Sequence, residues 1–193
     1  MGVTTATEAS PPWQGRLRPL EPARDLRDVS RLIGDAFARD MDERGRAVLR
    51  ELRWMSRLSP LVWWLSQVDP EFRDAFRGFV WEVPASGPRR MRVVGNANLN
   101  RAPGNRQWYI ICNVVVAADY RNRGIGRQLT ASAAEEAEAL GAQGVLLQVY
   151  RDNRPAHHLY VDLGFHEVSG ESELWAEQVQ PVPAAEDGGY LVR

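Results

Sequence analysis

Arg121-Asn122-Arg123-Gly124-Ile125-Gly126 is the stretch on which the reading of this chain turns. Before it, Gln107 to Ala117 is β-branched and apolar on both faces, the mark of a central strand. After it, Ile125, Leu129, Ala133, Ala137 and Leu140 recur at helical spacing, and Gly141 is placed to end the helix. A strand, a glycine-bearing turn and a helix N-terminus in that order suit an anion. The first backbone N–H groups of a helix have no intrahelical partner, and the helix dipole favours negative charge there. Gly124 and Gly126 let the backbone approach a phosphate closely, while Arg121, Arg123 and Arg127 add positive charge and can bond phosphate oxygens.

The ligand class is narrowed by what is missing. A dinucleotide fingerprint needs a third glycine, and its position holds Leu129. A Walker loop needs Lys, and all 24 basic residues are Arg. The same absence excludes protein-kinase and Schiff-base chemistry. Alone, a Gly-x-Gly before a helix also fits a plain strand-to-helix turn.

Working outward from the loop, Val145 to Tyr150 reads as the next strand. Asn153 caps a helix with Pro155 in its first turn, and Gly164 stops it. Upstream, Gly78 to Val83 and Met91 to Asn100 read as strands. They are separated by a turn at Ala85-Ser86-Gly87-Pro88 and followed by one at Ala102-Pro103-Gly104-Asn105. These and the Gln107 strand form an antiparallel meander. Arg16 to Leu20 is a short first strand. Leu26, Val29, Leu32, Ile33, Ala36 and Phe37 mark a first helix, and Asp42 to Leu58 a second. Pro60 interrupts, and Leu61 to Leu65 is a short apolar segment. Two last strands are expected near Leu174 to Val179 and Tyr190 to Arg193. The expectation is a mixed α+β domain over residues 16–193, behind a flexible tail over residues 1–15.

Arg-x-x-Gly-x-Gly after an apolar strand resembles the coenzyme A pyrophosphate loop of the GNAT superfamily of acetyl-CoA-dependent N-acetyltransferases. The approach Val114-Val115-Val116-Ala117-Ala118-Asp119-Tyr120 is similar to that family's, with Ala118 where Pro is frequent. Asn153-Arg154-Pro155-Ala156-His157-His158-Leu159-Tyr160, followed by Gly164-Phe165, resembles its second motif.

The resemblance implies one mostly antiparallel sheet splayed between the fourth and fifth strands, with helices on both faces. It implies acetyl-CoA as cosubstrate, held by Val114, Val115, Val116, Arg121, Asn122, Arg123, Gly124, Ile125, Gly126, Arg127, Asn153 and Tyr160. It makes Tyr160 the acid toward the departing thiolate, and a small-molecule or peptide amine the acceptor. Some members place a Glu on the fourth strand as base, but no Asp or Glu occurs from Gln107 through Ala118. Glu82, or a water held by backbone and Asn113, is the candidate substitute. A non-catalytic acyl-CoA sensor is the alternative function.

The remaining chemistry is sparse. A net charge of -1, with Arg dispersed along the chain, does not suggest nucleic-acid binding. The single Cys112 excludes an intrachain disulfide, and His157, His158 and His166 lack zinc-protease spacing, so no metal is expected. No apolar run is long enough to span a bilayer and the N-terminal stretch lacks a signal-peptide pattern, so a cytoplasmic location is expected, with a homodimer left open. Trp54, Trp63, Trp64, Phe72, Phe76, Phe79 and Trp81 are read mainly as core and interface aromatics. The sharper option is that Trp63 and Trp64 line an acceptor slot.

Overall fold

The structure is a computed structural model, and it describes residues 15–37, 43–85, 91–150, 152–168 and 188–192. The chain runs β1 (Arg16–Pro19), α1 (Pro22–Ala36), α2 (Glu43–Met55), α3 (Ser59–Val68), α4 (Pro70–Ala75), β2 (Gly78–Pro84), β3 (Met91–Ala102) and β4 (Asn105–Val116). A short 3-10 turn (Ala118–Tyr120) follows, then α5 (Ile125–Ala139), β5 (Gly144–Tyr150), α6 (Arg154–Asp162), β6 (His166–Val168) and β7 (Gly188–Val192). The sheet order is β1-β2-β3-β4-β5-β7-β6. All neighbours are antiparallel except β4 and β5, as expected of a mostly antiparallel sheet. No helix among the described residues is long and apolar enough to cross a membrane.

Strand alternation sorts the core into two faces. Ala97, Leu99, Tyr109, Ile111, Leu147 and Val149 pack with the α5 stripe Ile125, Leu129, Ala133, Ala134 and Ala137 and with Tyr160 and Phe165. Val80, Val93 and Val115 pack on the opposite side with Val29, Leu32 and Ile33 of α1 and Leu49 of α2. The alanines bring α5 close to the sheet. At Gly95 of β3, a Cβ would stand 2.9 Å from a Leu129 methyl and 3.0 Å from an Ile125 methyl, so a side chain there would push on the two residues by which α5 packs against the sheet.

The first strand and first helix are tied to the sheet by charge. Arg18 makes a bidentate pair with Asp25, both distances 2.6 Å, and its Nε donates to Glu82 at 2.9 Å. Arg16 and Arg24 donate to the same carboxylate, each at 2.7 Å. Asp25 also accepts the Glu21 backbone N–H at the start of α1. Glu82 is 0% and Asp25 1% exposed. Burial alone disfavours the Glu82 carboxylate, but the three guanidiniums outweigh it and hold its pKa below the usual carboxylate range.

Three expectations change. The segment after Pro60 is not an isolated apolar run but the body of α3, because Pro60 occupies the first turn, where its missing N–H costs nothing. The helix α4, capped by Asp69 through the N–H groups of Glu71 and Phe72, was not anticipated. After Gly164 a strand forms immediately, at His166–Val168; the expected strand near Leu174 to Val179 lies outside the described residues, as do residues 1–14 of the expected tail and most of the turn before Met91.

Removing one member of a buried, hydrogen-bonded charge cluster strands the others. Glu82→Gln is expected to cost about 3–5 kcal/mol of stability at pH 7. A carboxylate with a depressed native pKa stabilises above its unfolded pKa and loses that contribution as pH falls through the native value. The gap between wild type and variant in urea unfolding therefore narrows in acid. An unchanged midpoint at pH 7 would contradict the hub.

Candidate functional site

β4 and β5 stay together for four register pairs, Trp108 with Gly144 through Ile111 with Leu147. Beyond Ile111 they part. From Cys112 to Val116 the β5-facing edge of β4 has no ladder partner among the described residues, while the other edge remains on β3, with Val115 opposite Asn96 and Val116 opposite Gly95. This is the expected splay. It exposes a short edge of unpaired backbone inside the sheet, the kind of edge that an extended ligand can join as a strand. Val114 and Val116 pack toward α5 and α6, and Val115 toward α1, so the side chains serve both cores while the backbone edge is open.

A bulge sits in the same stretch. Asn98 faces Cys112 and Asn96 faces Val115, so Ala97 stands against both Asn113 and Val114. Asn113 takes a left-handed φ of 52°, which an Asn tolerates better than most residues. The Asn113 side chain and the Asn96 side chain both donate to Asn98 Oδ1.

The phosphate-loop residues collect at the end of this strand. Gly124 is the N-cap of α5 with φ 76°, and Asn122 has φ 58°. No side chain caps α5, and no proline lies in its first turn. By contrast α1, α3, α4 and α6 all carry a proline at their first or second position, and α4 and α6 also have Asp or Asn caps. The α5 terminus thus keeps its positive dipole end and its first N–H groups directed outward. Gly126 marks where three elements converge: a Cβ there would meet Leu159 of α6 at 3.4 Å and Val116 of β4 at 3.8 Å.

The arginines are held in three ways. Arg121 Nε donates to the Val116 carbonyl at 3.0 Å, fastening the loop to the strand end. Arg123 lies over the Tyr120 ring at 5.3 Å. Arg127 reaches the α6 C-terminus, 3.4 Å from the Asp162 carbonyl and 3.8 Å from its carboxylate.

Asn153 caps α6 by accepting the Ala156 N–H at 3.3 Å, as its sequence context suggested. Tyr160, on the same helix, is 6% exposed, set edge-on to Phe165, and joined to the cluster that contains Val114, Val116 and Leu159. Burial pushes its phenol up to about 12. Burial likewise raises the Cys112 thiol to about 11, so it stays protonated near neutrality. His157 turns away to Glu167 at 2.9 Å.

The acceptor-side expectations divide. Glu82 is committed to three arginines and is not a free base. Trp54 on α2 and Trp63 and Trp64 on α3 are not core residues; they are 61%, 59% and 53% exposed. Trp63 lines a cavity of about 480 Å³ with Arg24, Ser66, Gln67 and Arg73, while Trp64 does not. Among the described residues no group of three or more His, Cys, Asp or Glu is gathered as a metal would require. Sequence reasoning missed the asparagines on β3; their alternation at positions 96, 98 and 100 was the available signal.

Comparison with known proteins agrees with this geometry. The fold is similar to a ribosomal-protein-alanine N-acetyltransferase from Brucella melitensis, at 22% identity and TM-score 0.60, covering 92% of this chain and 98% of that one. It is also similar to a spermidine N-acetyltransferase chimera from Vibrio cholerae and hSSAT, at 20% identity and TM-score 0.61, covering 93% and 94%. A third is diaminobutyrate acetyltransferase EctA from Paenibacillus lautus, solved with L-2,4-diaminobutyric acid and coenzyme A, at 17% identity and TM-score 0.56, covering 93% and 95%. No curated protein matches the chain by sequence. The sequence profile of the acetyltransferase (GNAT) family matches residues 47–165, which take in the splayed strand, the arginine-glycine loop and the Tyr160 helix, and the chain belongs to that family.

Proposed function

We propose that the protein is an N-acetyltransferase that passes an acetyl group from acetyl-CoA directly to a primary amine. The observation that carries this reading is the convergence at one point of an open β4 edge, an uncapped α5 N-terminus and the α6 tyrosine. The residues fit the coenzyme. The N–H groups of Ile125, Gly126 and Arg127 and the arginines at 121, 123 and 127 suit its phosphates. The β4 edge over Val114, Val115 and Val116 suits its amide-bearing arm. When bound, acetyl-CoA supplies an activated acyl group. A backbone N–H of the open edge then polarises the acyl carbonyl.

Tyr160 faces the departing sulfur as a hydrogen-bond donor. With its phenol at about 12 and a thiol near 8.5, complete proton transfer is uphill by roughly 5 kcal/mol. Donation without transfer stabilises developing charge on sulfur and leaves the tyrosine neutral. The protein is placed in the cytoplasm on the same reading, with its single cysteine not required in any disulfide.

Acetyl-CoA at a hundred times its dissociation constant is expected to stabilise the protein by about 2.7 kcal/mol, visible as a rise in melting temperature. Gly126→Ala has room for its methyl and should melt like wild type alone, yet lose most of that rise. No shift in wild type at saturating acetyl-CoA sinks the proposal.

Tyr160→Phe is expected to lower coenzyme A release by about 100-fold, as loss of one such donor does, while the acetyl-CoA-induced melting shift persists. If wild type binds acetyl-CoA but releases no coenzyme A with any amine, amino acid or peptide, the non-catalytic sensor is the correct function.

A further inference from the structure

Where β4 leaves β5 it offers an incoming amine no carboxylate, since none occurs from Gln107 through Ala118. It offers asparagines. Asn96 Nδ2 donates to the backbone carbonyl of Asn113 at 3.0 Å and to Asn98 Oδ1 at 2.9 Å, and Asn113 Nδ2 donates to Asn98 Oδ1 at 3.2 Å. These contacts have one self-consistent orientation. A backbone carbonyl only accepts, so the Asn96 atom facing it is the NH2 group. Asn98 must then present its oxygen, and Asn113 must answer with its nitrogen. One peptide carbonyl therefore fixes three side-chain amides.

The fold carries two unfavourable features to keep this arrangement. Asn96 is 0% exposed, opposite Val80 on one neighbouring strand and Val115 on the other, where an aliphatic side chain would pack. Its Oδ1 has no hydrogen-bond partner among the described residues, a condition that native interiors seldom tolerate. Asn113, at the bulge, holds a left-handed backbone. The consequence is specific: with its nitrogen turned to Asn98, exposed Asn113 keeps Oδ1 as an acceptor uncommitted among the described residues, on the stretch of β4 that has left β5.

We propose that Asn113 Oδ1 receives the N–H of the acceptor, with Asn96 and Asn98 as positioning residues, and that the acceptor is an α-amine such as a peptide N-terminus rather than a lysine-type ε-amine. This rests on the acetyltransferase reading above. An amide oxygen orients a neutral amine but does not take its proton. The amine must arrive unprotonated with its lone pair free for the acyl carbon. The C–N bond forms, the C–S bond breaks with the electron pair going to sulfur, the nitrogen gives up one proton to water, and the thiolate takes one from water.

An α-amine with a pKa near 7.7–8.0 is neutral at pH 7 several-hundred-fold more often than an ε-amine near 10.4. Four described ionisable groups on the surrounding elements do not substitute for a base. Cys112 on β4 and Tyr160 on α6 keep their protons, Glu82 on β2 is bound to Arg16, Arg18 and Arg24, and Asp25 on α1 is bound to Arg18.

The test uses a short peptide with a free N-terminus and no lysine, and its N-blocked counterpart with one lysine. Coenzyme A release is followed from pH 6 to 10. Wild-type kcat/KM for the free N-terminus should rise tenfold per pH unit and level off at that amine's own pKa. At pH 7 it should exceed the lysine peptide by at least tenfold. Asn113→Ala and the backbone-relaxing Asn113→Gly should each lower kcat/KM at least tenfold, chiefly through the amine KM, with the acetyl-CoA-induced melting shift intact. Asn113→Asp should regain part of the activity and add a new inflection at acid pH. Asn96→Leu should raise the amine KM, which loss of packing alone would not do.

Normal kcat/KM in both Asn113→Ala and Asn113→Gly overturns the proposal, as does a plateau at the same pH for amines of different pKa, a preference for the lysine peptide, or no reaction of either peptide. All four leave acetyl-CoA binding standing. Absence of that binding instead removes the acetyltransferase reading itself.

Discussion

The parting of β4 from β5 after Ile111 is the constraint on which the rest depends. Backbone N–H and C=O groups inside a sheet are rarely left unpaired. A chain that separates two parallel strands must therefore hold them apart by packing, and it must do so with the side chains of the very strand whose edge is exposed. Val114 and Val116 on one face and Val115 on the other do this, because alternation lets one strand anchor to two cores at once. The same parting places the α5 N-terminus at the end of β4 and lets Leu159 of α6 reach the first turn of α5. The loop, the open edge and the tyrosine are consequences of one topological decision.

At the far side of the sheet, the charge hub answers a different demand. β1 has only four residues and α1 follows it after two more, so apolar area alone holds this edge weakly. Two buried carboxylates and three guanidiniums fix the register of β1 on β2 and the entry into α1. Arg suits both ends of the molecule for different reasons. In the hub its planar fork satisfies carboxylates bidentately in the interior. At the loop, on the proposed function, its charge and planar fork suit the phosphates of the coenzyme. A chain without lysine thus pays no functional penalty at either place.

Much of this is legible in the amino-acid sequence. The α1 and α5 periodicities, the turn at Pro103-Gly104 and the cap at Asn153 are local signals, and local chemistry decides them. What could not be read depended on tertiary position. Pro60 looks the same whether it breaks a segment or starts a helix, and only the packing of α3 on α1 selects the second. Glu82 looks like a base until Arg16, Arg18 and Arg24, distant in sequence, close around it. Trp63 and Trp64 look like core until the helix that carries them lies at the surface. The asparagines of β3 are poor strand formers, and that misfit was the one available sign that their strand does more than pack.

Tyr160 on α6 and Cys112 on β4 do not change charge near neutrality. Tyr160 at about 12 and Cys112 at about 11 are neutral, and the asparagines do not ionise. Desolvation explains the first two, and it is a corollary of the splay, since the walls that keep the strands apart are apolar. Fixed dipoles aimed at a reacting carbonyl stabilise developing charge without having to reorganise, and they act more strongly where water is excluded. A buried carboxylate base in the same place would repel the charge that develops on the acyl oxygen and the departing sulfur. On the mechanism proposed above, an amide avoids that repulsion, at the cost of leaving deprotonation to the amine and the solvent. The selectivity proposed above then lies in the ionisation of the substrate rather than of the protein: what varies with pH is the fraction of acceptor that arrives neutral.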